Sequence, residues 1–359
     1  MTEPAPARRP RVLVVGPPAD ARGGIGSVER ALEEHAEALA DLDVVTTHRD
    51  GPAVTRLRAM ALGTLAAAGH LLVRPPDLVH MHVSQRTSVL RKGLLGRLAR
   101  ARGVPVVLHM HGSEFLDWYD GLPTPVRAAV RALVVPHRLV VLSESLRGRY
   151  ATRLGVPEER VVALPNPVEW PAAAPAGRVP GGEVLALFLG RFGARKGIYD
   201  LVDACALLSP AARHRLRVLA AGDGEVDGVR RAVAAAGIGD VVTVSGWLAP
   251  AERDDLLRRA DLLVLPSSHE GLPMAVLEAM AFGVAPVVTP VGALPEVVRD
   301  GENGVLVPVG DAAALARALE ALVADDDRRR ALGARARTDV EPYAAPRWAG
   351  RLADIWAAA

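Results

Sequence analysis

Two glutamates, Glu270 and Glu278, stand eight positions apart in the stretch SSHEGLPMAVLEAM (267–280), which is otherwise almost wholly apolar. After the apolar run DLLVLP, residues 267–271 read as a turn. Pro273 reads as the first residue of a helix through MAVLEAMAFG, because its missing N–H costs nothing there. Such a helix start offers free backbone N–H groups and a positive dipole end, which suits a phosphate. Glu278, one to two turns further in, can accept two hydrogen bonds from a vicinal diol such as a ribose. Glu270, at the mouth, can meet a sugar or stabilise positive charge. The plain alternative is a pair of solvated surface carboxylates, the usual fate of Glu.

Other residues with chemical potential sit where apolar runs end. In LFLGRFGARKGIYDL, Arg191 and Lys196 lie in a glycine-punctuated loop, where a planar fork and a flexible point charge can grip a diphosphate together. Lys196 and Lys92 are the only lysines among 43 basic residues, so a lysine here departs from the chain's habit. Near the start, GPPADARGGIGSVERAL joins a strand to a helix through Gly23, Gly24 and Gly26; it is not GxGxxG, and it reads equally as a phosphate approach or a plain turn. Two strands end alike, in His80 and His82 and in His109 and His111. Paired HxH motifs can build a metal site, yet no Cys or Asp cluster completes a coordination shell, and adjacent buried histidines also serve as hydrogen-bonded neighbours. His111, followed by Gly112, is the best placed to reach a cleft.

The elements that must position these residues follow from patterning. Short Val- and Leu-rich runs, RVLVVG, DLVHMH, VPVVLHMHG and RLVVLS, then VLALFLGR, LRVLAAGDG, DLLVLPSS and APVVTP, alternate with longer helical patterns. Strands apolar on both faces and separated by helices predict α/β architecture with parallel sheets, and two successive series predict two domains. A chain of 359 residues also exceeds the usual size of one core. The proline- and glycine-rich stretch 165–182 reads as the linker, with the boundary near Val168. The tail 346–359 reads as a helix with Trp348, Leu352 and Trp356 on one face.

Composition narrows the classes. Half the residues are hydrophobic and 23% are charged, which excludes a disordered or disulfide-framed chain. The single cysteine, Cys205, reads as a small buried hydrophobe. The N-terminal apolar stretch is too short for a signal-peptide core, so the expected location is cytoplasmic. The run 59–73 falls short of a bilayer span and reads as a buried helix. Residues 85–103 carry six basic side chains, Lys92 among them, and no acidic one; read as a helix, Leu90, Leu94, Leu98 and Ala101 share a face that could pack while the charges meet an anionic membrane. A solvated surface helix is the alternative. Few aromatics speak against nucleic acid as a partner.

Taken together, EGLPMAVLE and its surroundings, about residues 184–310, resemble the family 4 glycosyltransferases, with Glu270 and Glu278 matching that family's E-x7-E motif. The resemblance implies a GT-B fold, two facing Rossmann-like domains with a donor and acceptor cleft: residues 1–168 on the acceptor side, with the helix 346–359 packed back on them, and residues 169–345 binding a nucleotide-sugar donor, by family habit UDP-linked. It implies that Glu278 holds the ribose, and that Arg191 and Lys196 neutralise the diphosphate, helped by the backbone of Gly271, Leu272, Pro273 and Met274 and by Gly24. Glu270 would contact the donor sugar, and His111 the sugar or the acceptor. Trp247 would lie near the nucleobase or simply pack. Transfer would retain anomeric configuration without metal or cofactor, the leaving phosphate helping to take the acceptor's proton. Lipid-linked, glycan or small-molecule acceptors all remain open, with cell-surface glycan or glycolipid assembly as the first expectation. A soluble natural-product acceptor, or a non-transferring epimerase or sensor on the same fold, is the alternative.

Overall fold

The computed structural model describes residues 8–172 and 181–359, so residues 173–180 of the proline-rich linker and the first seven residues lie outside the described residues. The chain divides into two compact units, Met1–Pro167 together with Ala345–Ala359, and Val168–Ala344.

The first unit is built on β1 (Arg11–Gly16), β2 (Asp41–Thr46), β3 (Leu78–Val83), β4 (Val106–Met110), β5 (Arg138–Val141) and β6 (Val161–Ala163). They form one parallel sheet in the order β2-β1-β3-β4-β5-β6. The second unit has β7 (Val184–Leu189), β8 (Leu216–Ala221), β9 (Val242–Ser245), β10 (Leu262–Leu265), β11 (Ala285–Val288) and β12 (Val305–Leu306), again all parallel, in the order β12-β11-β10-β7-β8-β9. Central strands such as LLVL in β10 and APVV in β11 are buried at every position, which is why they read as unbroken apolar runs. Three strands escape such a reading. β2 is a half-exposed edge strand, β6 has three residues and β12 two.

In each sheet the strand order reverses at the first strand, with β1 between β2 and β3, and β7 between β8 and β10. The loops leaving the carboxyl ends at these switch points diverge to opposite faces and leave a crevice, the usual place for a ligand in such sheets.

Two helices of the first unit depart from their expected packing. In the helix Thr87–Ala101 the buried side is Val89, Lys92, Gly93, Leu95, Gly96 and Ala99, whereas Leu90 and Leu94 are exposed. The glycines explain the rotation: Gly93 lies so close to Leu133 that a Cβ would approach its Cβ to 2.9 Å, so this thin face, not the leucine face, seats the helix. The helix Ala53–Val73 buries only Gly63, Ala67 and Leu71 and leaves Leu62, Leu65 and Leu72 exposed, so the run 59–73 is not a buried helix. Among the described residues, no helix is long and apolar enough to cross a membrane. The helix Ala345–Ala357 buries Trp348, Leu352 and Trp356 and packs against the helix Gly24–Ala36.

Glycines are required where loops meet at the second switch point. Gly197 adopts φ 73°, and a Cβ there would stand 2.0 Å from the carbonyl oxygen of Pro266. Gly292, at φ 59°, would bring a Cβ within 2.1 Å of the Glu270 carbonyl oxygen. Gly197→Ala is expected to destabilise the protein by roughly 2 to 4 kcal/mol in urea unfolding, combining left-handed strain with a backbone clash. Gly239→Ala, at a site with nothing within 4 Å, serves as the near-neutral control. Equal midpoints for the two variants would refute the close approach.

Candidate active site

The second switch point gathers the loops after β7, β10 and β11. The loop after β7 runs through Arg191 to a short turn, Ala194–Lys196, and the helix Ile198–Ala206. Two exchanges tie it to the loop after β10: Ser268 N–H donates to the Arg195 carbonyl at 2.9 Å, and the Arg195 guanidinium donates to the His269 carbonyl at 3.0 Å. Held this way, Lys196 Nζ stands 2.5 Å from Glu270 Oε1, which also accepts from Ser267 Oγ at 2.8 Å. The Glu270 side chain is 6% exposed and that of Lys196 17%, so the pair is largely withdrawn from water. Neither charge is cheap to bury alone, and each fixes the other.

Glu278 lies in the second turn of the helix Met274–Ala281, whose start brings its dipole to the same loops. Pro273 is the cap residue, one position earlier in the helix than expected, because the residue before the helical turn keeps extended backbone. Glu278 is buried and forms an ion pair with Arg253 at 3.0 Å. Gly271, Leu272 and Met274 line the same turn, with Leu272 and Met274 buried. Arg191 is exposed and makes no ion pair with any described residue, which leaves its guanidinium open to an anion. Trp247, 44% exposed, follows β9.

The first switch point gathers a different set. Gly24 opens the helix Gly24–Ala36 behind Gly23 at φ 98°, and Gly26 approaches the Ala21 carbonyl too closely for any Cβ. His80 and His82 share one face of β3, with His82 registered against His109 of β4, and His111 follows that strand. His82 Nδ1 and His111 Nε2 lie 2.8 Å apart. Burial holds all four rings in their neutral form, reinforced at His82, His109 and His111 by neighbouring imidazoles, with His80 and His111 lowered to about 3. Ring nitrogens of His80, His82 and His109 come within 4.8 Å of one another, the donor set nearest to a metal centre. Yet Trp356 Nε1–H donates to His80 Nδ1 at 3.1 Å, which puts the proton of neutral His80 on Nε2 and withdraws that ring as a ligand while the bond stands.

Sequence reasoning missed Glu29 and Arg253. Glu29 is fully buried beside His82, and its signal was a carboxylate on the apolar face shared with Val28 and Leu32. Arg253 sits in the charge-rich helix Pro250–Arg259, where no local pattern separates it from its neighbours.

The comparisons now have a geometry to meet. Residues 3–167 match the glycosyl transferase 4-like domain and residues 172–339 the glycosyl transferases group 1 model. The chain belongs to the group 1 glycosyltransferases, of GT4 type. Its α/β architecture of two parallel six-stranded sheets is the GT-B fold. It is similar to the 2-deoxystreptamine N-acetyl-D-glucosaminyltransferase of Streptomyces fradiae, 32% identical over 71% of this chain and 64% of that enzyme. The chain thus spans a little under two thirds of that relative's length. A D-inositol 3-phosphate glycosyltransferase of Kineococcus radiotolerans is 32% identical over 78% of this chain and 71% of its own. Among solved structures, Anabaena HepE in complex with UDP and glucose shares the fold with a TM-score of 0.72 at 17% identity, covering 96% of this chain and 99% of that one.

In this chain the buried carboxyl of Glu29 is pushed up to about 8 by desolvation, and the buried amine of Lys92 is pushed down to about 7 by the same cause. The folded protein therefore keeps a proton on Glu29 that the unfolded chain loses above pH 4.5, and stability falls as pH rises through that window. Glu29→Gln is expected to be more stable than wild type by up to about 1.4 kcal/mol per pH unit between 4.5 and 8, with no gain at pH 4. Urea unfolding at pH 4, 6 and 8 measures it; a pH-independent difference would contradict a buried, protonated Glu29.

Proposed function

We propose that this chain transfers a sugar from a nucleotide-sugar donor to an acceptor hydroxyl with retention of anomeric configuration, the second unit holding the donor and the first the acceptor. The observation that carries the reading is the Lys196–Glu270 pair at the β7 and β10 switch point. Lys196 and the free Arg191 supply fixed positive charge for a leaving diphosphate, aided by the dipole of the helix Met274–Ala281. Glu270 then meets the donor sugar, and Glu278, oriented by Arg253, accepts from the ribose. His111 contacts the sugar or the acceptor. UDP is assigned by family resemblance, and no metal is assigned because cations of the chain itself face the phosphates.

In a transfer assay, Glu270→Ala is expected to remove most turnover with nucleotide affinity largely kept, while Glu278→Ala weakens nucleotide binding by roughly 2 to 4 kcal/mol in calorimetry, the loss of two hydrogen bonds to a charged group. Wild-type turnover is expected to persist in EDTA. Normal nucleotide affinity in Glu278→Ala, or activity that EDTA abolishes and Mn²⁺ restores, would sink this assignment.

For the acceptor, we favour one presented at an anionic membrane. The helices Ala53–Val73 and Thr87–Ala101 pack together and contain no acidic residue. They expose Leu62, Leu65, Leu72, Leu90 and Leu94 as well as Arg56, Arg58, Arg97 and Arg100, apolar and basic side chains with no acidic one on either helix. Lys92 drops out of that surface, being buried, and the contact extends beyond residues 85–103 to the earlier helix. Each basic residue at such a surface contributes about 1 kcal/mol. The second reading, a soluble cyclitol acceptor, is favoured by relatives whose names specify 2-deoxystreptamine and D-inositol 3-phosphate. Wild type is expected to co-sediment with anionic liposomes at low salt, and a variant carrying Leu62→Gln, Leu65→Gln and Arg97→Gln is expected to stay in solution. Equal pelleting on neutral vesicles, or none on either, turns the choice to the soluble acceptor.

A further inference from the structure

The buried groups at the first switch point form a chain. His111, partly exposed, engages His82 Nδ1 through its own Nε2 at 2.8 Å, which leaves Nδ1 of His111 as the nitrogen available to anything else. The far nitrogen of His82, Nε2, lies 3.4 Å from Glu29 Oε1. That separation is a few tenths of an ångström beyond an ideal hydrogen bond, and neither atom has another hydrogen-bond partner among the described residues. Lys92 Nζ donates to the His82 carbonyl and so pins the middle of the chain. Gly16 makes room for it, since a Cβ there would overlap the Glu29 carboxyl at 1.6 Å.

We propose that Glu29, His82 and His111 form a proton relay in which a proton taken up at Nδ1 of His111 is stored as the carboxylic acid of Glu29. The inference rests on the reading above, which gives His111 to the sugar or the acceptor, and it adds what the residues behind His111 do.

The bookkeeping of protons follows from the two linked rings. Between His82 and His111 one nitrogen must donate and the other accept, so the tautomer of one dictates that of the other. With Glu29 ionised, its carboxylate accepts from His82 Nε2–H, His82 Nδ1 accepts from His111 Nε2–H, and His111 Nδ1 carries a bare lone pair. When Nδ1 takes a proton, the Nε2 proton of His111 passes to His82 Nδ1 and the Nε2 proton of His82 passes to Glu29. One proton enters, two shift inward, and each ring ends neutral with its tautomer reversed. The outer nitrogen has changed from acceptor to donor.

The surroundings favour storage on the carboxyl. An imidazolium at His111 is opposed by burial, by His80 and by Lys92, and one at His82 by burial, by the three other imidazoles and by Lys92. The Glu29 carboxyl faces His82 from β3, Lys92 from the helix Thr87–Ala101 and Glu33 on its own helix; burial and Glu33 raise it and Lys92 opposes them. The helix Ala345–Ala357 brings Trp356 into this cluster, bonded to His80. The proton therefore finds a seat only at the far end.

The test is nitrogen-15 NMR of histidine-labelled protein from pH 6 to 10, with the His82 and His111 signals assigned by loss in His82→Gln and His111→Gln. In wild type both rings are expected to reverse tautomer at one shared midpoint near 8, the position of the Glu29 carboxyl. In Glu29→Gln, which keeps the shape but cannot ionise, each ring is expected to hold a single tautomer across the range. No reversal in wild type, separate midpoints for the two rings, or a reversal that persists in Glu29→Gln would each overturn the relay. The wild-type titration decides even where a variant folds poorly. No donor or acceptor enters the experiment, so its outcome stands apart from whether the chain transfers sugar.

Discussion

Parallel pairing is the constraint from which the rest follows. When every strand of a sheet runs the same way, all carboxyl ends finish on one edge, and side chains within about seven residues past a strand can meet although far apart in sequence. Lys196 follows β7 and Glu270 follows β10, 74 positions later, yet they form one ion pair because β7 and β10 are neighbours. The same rule joins His82 of β3 to His111 after β4. Each switch point thus concentrates polar groups at the rim of its sheet.

The two rims manage charge in opposite ways. At the second, opposite charges are kept and paired: Lys196 with Glu270, Arg253 with Glu278. At the first, burial is complete enough that ionisation itself is suppressed, and Glu29, Lys92 and four imidazoles drift toward their neutral forms. A paired rim is suited to holding a charged ligand in place. A neutral rim is suited to moving single protons, because no fixed charge pins them.

How legible this was in the sequence depended on range. The run SSHEGLPMAVLEAM carried its own turn, cap and helix, so the placing of Glu270 and Glu278 could be read locally, as could strands such as β10, apolar at every position. What one-dimensional reading could not supply was partnership. Arg253 is one of several charges on its helix, and only its ion pair with Glu278, distant in sequence, singles it out. Lys92 reads as one more surface cation until the glycine face of its helix turns it inward. Edge strands such as β12, two residues long, carry too little pattern to see.

The last helix, Ala345–Ala357, belongs to the first unit although the whole second unit precedes it in the chain. During synthesis the second unit has all its residues while the first still lacks the face that Trp348 and Trp356 cover. His80 acquires its tryptophan partner only once the helix Ala345–Ala357, which follows the whole second unit, has been made. The first unit therefore completes its packing after the second, and a chain cut before Ala345 would damage the first unit while sparing the one next to the break.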